Sequence, residues 1–245
     1  MYGWRGRIGL IVPSSNTTME CELARMLPKG VSLHTARVMQ VIETEEELLR
    51  MAEYAERAAQ ELASADVDMI LYGCTSGSFL KGEDWNRRFT EDLSDVIDRP
   101  VITTSTAVIE ALQHLQIEEA CLATPYPKET NAKAVAWLES VGVKVVKMIE
   151  LAESTYARPI TNLEIGSFTP ESVYKKIKNH VKPLSTPLFI SCTNLRTIEI
   201  IELLENDLNL PVVTSNQASL WAALRTLGVQ GTSESFGRLL SRQQT

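Results

Sequence analysis

The chain has 245 residues, which suits one large or two small domains, and its 44% hydrophobic and 22% charged residues supply ample material for a core. A net charge of −7 argues against nucleic acid and against an anionic membrane as main partners. The apolar stretch Ile8 to Val12 stops at Pro13, too short for a signal-peptide core, and no apolar run could span a bilayer. Four scattered cysteines without an export signal predict free thiols in a reducing cytoplasm.

Strand-like runs alternate with helix-like ones along the chain. Strands are predicted near 7–12, 31–38, 67–73, 100–104, 119–124, 143–149, 187–191 and 211–214. They are short and apolar on both faces, as expected of a parallel sheet covered by helices. Thr44 to Ala65 predicts one amphipathic helix, with Leu48, Leu49, Ala52, Ala55, Ala59 and Leu62 as its apolar stripe. Thr44 and Glu47 have the spacing of a capping box. The acidic run Glu43, Glu45, Glu46 and Glu47 reads as a solvated helix start. Pro170 takes the first position of a helix in the second half.

The two halves resemble each other. Pro100-Val101-Ile102-Thr103-Thr104 matches Pro211-Val212-Val213-Thr214-Ser215 at an offset of 111 residues (211 − 100). Ile8 to Ser14 matches Ala120 to Tyr126 in the same order. Cys74 and Cys192 each follow an apolar run, in Gly73-Cys74-Thr75-Ser76 and Ser191-Cys192-Thr193-Asn194. This spacing is too long for a solenoid and predicts two α/β domains related by a pseudo-twofold axis. The expected division is 1–105 plus 217–245 for the first domain and 106–216 for the second.

Parallel α/β sheets put ligands at the carboxyl ends of their strands, and the unusual loops fall there. Pro13-Ser14-Ser15-Asn16 follows the first strand, Cys74-Thr75-Ser76 the third, Pro125-Tyr126 the fifth and Cys192-Thr193-Asn194 the seventh. These loops carry hydroxyls and amides, with Lys128 and Arg196 only at their edges. They suit a carboxylate, and also the enediolate that forms when a carbon beside a carboxylate becomes an anion. A cysteine at a helix N-terminus has its thiol pKa lowered, so Cys74 and Cys192 are expected to work as a thiolate and thiol pair. The opposing readings are two buried structural cysteines or a disulfide. Cys21 and Cys121 read as packing residues. His34, His114 and His180 lie away from the loop cluster. No phosphate loop, dinucleotide fingerprint, zinc-spaced Cys/His cluster or serine-nucleophile elbow is present in the sequence, so neither metal nor cofactor is expected.

At these residues the chain resembles the aspartate/glutamate racemase superfamily, in its maleate isomerase and arylmalonate decarboxylase branch. The likeness rests on Ile11 to Glu20, Gly73 to Phe79, Ala123-Thr124-Pro125-Tyr126 with Asn131, and Ser191-Cys192-Thr193-Asn194. It implies two Rossmann-like α/β domains, each with a four-stranded parallel sheet flanked by helices, and an active site between them that needs no cofactor. Cys74 would add to maleate and Cys192 would be the opposing acid/base. Pro13, Ser14, Asn16, Thr75, Ser76, Tyr126, Asn162 and Thr193 would surround a small carboxylate or dicarboxylate. The expected function is a cysteine-dependent isomerase of the maleate-to-fumarate type. Decarboxylation of an aryl malonate, racemisation of an amino acid or hydantoin, and simple carboxylate binding are the alternatives. Thr75-Ser76-Gly77-Ser78-Phe79 resembles the decarboxylases, whereas the cysteine pair resembles the isomerases and racemases. A homo-oligomer is compatible with the sequence, which shows no interface.

Overall fold

Eight parallel strands divide into two four-stranded sheets in the computed structural model, which describes residues 2–152, 160–180, 186–231 and 236–241. The first sheet contains β1 (Gly6–Pro13), β2 (Val31–Val38), β3 (Met69–Tyr72) and β4 (Val101–Thr103), in the order β2-β1-β3-β4. The second contains β5 (Glu119–Thr124), β6 (Lys144–Glu150), β7 (Leu188–Ile190) and β8 (Val212–Thr214), in the order β6-β5-β7-β8. The orders are identical, as duplication requires. Portions of the expected domains at residue 1, 153–159, 181–185, 232–235 and 242–245 lie outside the described residues.

The four inner strands, β1, β3, β5 and β7, are almost wholly buried because helices cover both faces. Of the edge strands, β2 and β6 depart from the expectation of two apolar faces, whereas β4 and β8 are largely buried. In β2 most residues are half-buried, and β6 exposes Lys144, Val146, Lys147 and Glu150. An edge strand has one neighbour instead of two, and its polar residues blunt edge-to-edge pairing.

In the first half the helices are α1 (Met19–Met26), α2 (Glu45–Glu53), α3 (Ala55–Ala63), α4 (Thr75–Phe79), α5 (Glu83–Ile97) and α6 (Thr104–His114). The second half adds α7 (Lys128–Ser140), α8 (Asn162–Gly166), α9 (Pro170–His180), α10 (Ile201–Leu208) and α11 (Ser215–Thr226). The single helix expected over 44–65 is two helices. It breaks at Tyr54, whose backbone at φ −93°, ψ −1° lies at the margin of the helical region and whose side chain is largely exposed. The break lets Leu48 and Met51 bury on one side, and Ala55, Ala58, Ala59 and Leu62 on another.

Only half of the expected capping box forms. The Glu47 amide donates to Thr44 Oγ1 at 3.4 Å, but the Glu47 carboxylate accepts the N–H groups of Val41 and Ile42 at 2.6 and 2.8 Å. It thereby draws the connection after β2 inward. Cys21 is also corrected: it lies on the exposed face of α1 and packs against no core. Cys121 is buried in β5 as expected.

Helices α6 and α11 follow the last strand of each sheet and pack along one another, with Ser219 Oγ donating to Thr104 Oγ1 at 3.2 Å. Helix α11 also reaches α1, β3 and β4. One apolar cluster accordingly runs from Leu10 and Met69 through Val108 and Leu220 to Phe189 and Val213. A separate cluster, built on Ile11, Leu48, Met51, Ala59, Ile70 and Tyr72, fills the outer side of the first sheet and includes Cys74. No helix among the described residues is long and apolar enough to cross a membrane.

Candidate active site

Strand β3 delivers Cys74 through Gly73. A side chain at Gly73 would meet Met19 Sδ at 2.6 Å and Leu10 Cδ1 at 2.8 Å, so the bare Cα lets β3 pack closely against α1 and β1. Cys74 is the N-cap of α4, and Ser78 Oγ donates to the Cys74 carbonyl at 2.8 Å. A Cβ on Gly77 would stand 3.0 Å from Cys74 Sγ and 3.4 Å from Tyr72 Oη. The missing side chain lets the Gly77 N–H reach the sulfur. Ser76 Oγ lies 3.9 Å from the same sulfur.

Cys192 sits at the matching end of β7 but not at a helix N-terminus, contrary to expectation. Residues 193–200 form turns, and α10 begins only at Ile201. A buried carboxylate explains the difference. Glu22 of α1 accepts the N–H groups of Thr197 and Ile198 at 2.5 and 3.2 Å and the Asn216 amide at 2.7 Å. Those amides are spent across the junction instead of in a helix. The backbone of Cys192 has φ 150°, which residues with a Cβ rarely adopt. Its N–H donates to Ser215 Oγ at 3.1 Å, and its sulfur accepts the Asn194 N–H at 3.4 Å.

Hydrogen bonds tie the loops of the two halves together. Thr75 Oγ1 donates to Ser215 Oγ at 2.9 Å, Thr193 Oγ1 to the Gly73 carbonyl at 3.2 Å, and Asn16 Nδ2 to Thr193 Oγ1 at 3.0 Å. Asn16 Oδ1 also accepts the N–H groups of Thr18 and Met19, holding the start of α1. Asn194 accepts the Thr17 N–H at 2.9 Å and donates to the Asn162 carbonyl at 2.6 Å. Asn162 in turn donates to the Gln40 side chain. The Tyr126 and Ser191 hydroxyls lie 3.2 Å apart, with Tyr126 also hydrogen-bonded to the Cys192 thiol. Pro13 is buried at the end of β1. Ser14 is half-buried, its hydroxyl engaged with the Gln40 backbone.

Cys74 and Cys192 are both buried, unbonded to each other, and close enough for charge on Cys74 to oppose ionisation of Cys192. The expected lowering of their pKa values is overturned. Burial, and then the neighbouring Glu43 carboxylate, push Cys74 up to about 12. The same two causes push Cys192 well above the ordinary thiol range. Helix α4 is only five residues long, and desolvation outweighs what its terminus offers.

Glu43 is the main residue that the sequence reading misplaced. It is only 4% exposed, not solvated. Its N–H donates to the Ile160 carbonyl at 3.1 Å and Ile42 bridges to Thr161, which folds the segment under the second half. Burial raises the Glu43 carboxyl to about 7, opposed by a hydrogen bond from Ser76. One of its oxygens has no partner, and neither does the buried Tyr72 hydroxyl beside Cys74. The available signal was positional: Thr44 caps α2, so Glu43 precedes the helix and does not share its solvated face. Ser215 and Glu22 also escaped sequence reading, since nothing local marks a residue that works across a fold junction.

The arylmalonate decarboxylase family profile matches residues 8–240. A maleate isomerase of Geobacillus stearothermophilus is 27% identical over 249 residues, covering 96% of this chain and 97% of that protein. A maleate isomerase variant of Pseudomonas putida, solved with maleate, superimposes with a TM-score of 0.87 at 26% identity, covering 97% of this chain and 98% of that one. A Nocardia farcinica maleate cis-trans isomerase mutant with a covalently bound succinylcysteine intermediate gives a TM-score of 0.87 at 26% identity, covering 98% and 99%.

Proposed function

This chain belongs to the arylmalonate decarboxylase family, and within it we propose a cysteine-dependent, cofactor-independent isomerase of a small unsaturated diacid, of the maleate-to-fumarate type. The observation that carries the reading is the pair of free, buried thiols, close enough that charge on Cys74 opposes ionisation of Cys192. A decarboxylase needs one proton donor, whereas cis-trans isomerisation needs a nucleophile and an acid on different atoms of the alkene.

In the proposed reaction Cys74, as thiolate, adds to one alkene carbon. The π electrons move to the other carbon and onto its carboxylate as an enediolate. Cys192 delivers its proton to that second carbon, leaving a succinyl thioether with a freely rotating single bond. After rotation Cys192 takes a proton back and the Cys74–carbon bond breaks, giving the trans diacid. The N–H of Gly77 and the hydroxyl of Ser76 favour the Cys74 thiolate. The N–H of Asn194 and the hydroxyl of Tyr126 do the same for Cys192. Thr75, Thr193, Asn16 and Asn162, with Pro13 and Ser14 behind them, surround the carboxylates. Donors fixed before reaction act most strongly on charge that develops in a dry site.

The test is incubation with maleate, followed by proton NMR for fumarate. Wild type should convert it, and Cys74→Ala should not. Protein quenched in turnover should carry one substrate mass on the peptide containing Cys74. Carbon dioxide release from phenylmalonate that survives loss of Cys74, but not of Cys192, would instead make the chain a decarboxylase.

A further inference from the structure

Among the described residues, the groups that interact with Glu43 are neutral or acidic. The thiols of Cys74 and Cys192 and the phenol of Tyr126 feel its charge, and Ser76 donates to it. The charges on neighbouring α2 are used elsewhere. Glu45 pairs with Lys133 at 2.7 Å, Glu46 with Arg50 at 2.6 Å, and Glu47 holds the Val41 and Ile42 amides. On the segment from the second half, Glu164 caps Thr161. Among the described residues no cation acts on Glu43, and one of its buried oxygens, Oε1, is unpartnered.

A fully ionised diacid would add two negative charges to a pocket that already holds a carboxylate and must form a thiolate. Unpaired charges at short range in low dielectric are too costly for that arrangement. The pocket can accept the ligand only if a hydrogen stands between Glu43 and the ligand.

We propose that Glu43 is a specificity-determining residue that faces the substrate, with one proton held between its carboxyl and the substrate's second polar group. This rests on the isomerase reading above. A free dianion binds only together with a proton from solvent. A half-amide of the same diacid brings its own N–H donor and needs none.

The test uses saturated probes that cannot isomerise, succinate and its half-amide succinamate, by calorimetric titration at pH 6.5 and 8.5. With Glu43 near 7, wild-type affinity for succinate should fall about 25-fold between those two pH values. At pH 8.5 binding should take up close to one proton, read from buffers of different ionisation enthalpy. Succinamate affinity should change less than about threefold. Glu43→Gln should abolish the pH dependence and bind succinate more tightly than wild type at pH 8.5. If that variant does not fold, Ser76→Ala serves, because losing the Ser76 hydrogen bond should move the inflection to higher pH. Equal pH profiles for succinate and succinamate, or a succinate profile unchanged by these substitutions, overturn the proposal while leaving the isomerase reading intact. Binding of neither probe, with no conversion of maleate, overturns both.

Discussion

Thr75 Oγ1 donates to Ser215 Oγ at 2.9 Å, and this bond joins the loop of one cysteine to that of the other, because Ser215 Oγ also accepts the Cys192 N–H at 3.1 Å. One hydroxyl thus fixes the spacing of two thiols that come from separate sheets. Ser215→Ala leaves two buried donors unpaired, which costs about 1–3 kcal/mol each. Thr75→Val removes only the bond between the loops. We expect Ser215→Ala to lower the urea midpoint measurably and Thr75→Val to do so less. If Thr75 also faces developing charge, Thr75→Val should cost roughly 10²–10³ in kcat. A near-normal kcat for Thr75→Val would show that this hydroxyl serves the fold alone.

Cys74 depends on the bare Cα of Gly77. A Cβ there would press on the sulfur at 3.0 Å and turn it from the Gly77 N–H. Because Cys74 is pushed up to about 12, its alkylation by iodoacetamide should rise about tenfold per pH unit from pH 7 to 10 without a plateau. Gly77→Ala should slow alkylation and turnover together while shifting the melting temperature little, since the residue lies in a five-residue helix. Unchanged alkylation kinetics in Gly77→Ala would mean that the sulfur does not use this amide.

Glu43 also couples stability to pH. Its carboxyl ionises near 4.5 when unfolded and near 7 when folded. Between those values the folded state holds the proton more tightly, so its stabilising effect is complete below about 4.5 and is lost as pH rises through 7. Over that window the loss is roughly 3 kcal/mol. Glu43→Gln should remove this slope, so the variant should gain on wild type in denaturant titrations between pH 5 and 8. Parallel stability curves for the two proteins would place Glu43 in water, contrary to its burial.

The repeat made much of this architecture legible. Matched strand-proline-turn segments separated by a near-constant offset place both sheets, and strand ends bounded by Gly73 and Pro13 place the loops. The single sequence could not show what happens where the halves meet. Glu43 reads as one more acid beside Glu45 and Glu46, because its burial comes from Ile160 and Thr161, more than a hundred residues away. The turns after Cys192 were unreadable for the same reason, since the acceptor for their amides is Glu22 in the other half. The raised thiol pKa values have no sequence signal, because proximity to a helix end is visible in sequence, whereas complete desolvation is not.

Glu22 makes the junction itself testable. Its carboxylate takes four donors from the second half, the N–H and hydroxyl of Thr197, the N–H of Ile198 and the Asn216 amide, at the base of the Cys192 loop. Burial raises its pKa and these hydrogen bonds lower it, with burial the larger effect. Glu22→Ala strands buried amides and should cost about 3 kcal/mol or more. Glu22→Gln keeps the acceptor oxygen and should recover most of that loss. If the two variants melt alike, the carboxylate's hydrogen bonds do not hold the halves together.

Cys192 stores backbone strain, and the strain separates its two properties. At φ 150° a residue with a Cβ costs about 1–3 kcal/mol that glycine does not. The thiol is buried, so removing it costs packing and its contacts with Tyr126 and the Asn194 N–H. Cys192→Ala keeps the strain and loses the packing, and should be the less stable variant. Cys192→Gly loses the packing and relieves the strain, and should exceed Cys192→Ala by about 1 kcal/mol or more, reversing the usual order in which Gly lies below Ala. Both should fail to protonate the proposed adduct, so both should lose turnover. Cys192→Ser supplies a hydroxyl in the same strained backbone and should accumulate little trans product, because its proton is held too tightly to transfer. Equal melting of the Gly and Ala variants would show that the backbone relaxes at no cost. The loop would then be free to move when the acid releases its proton.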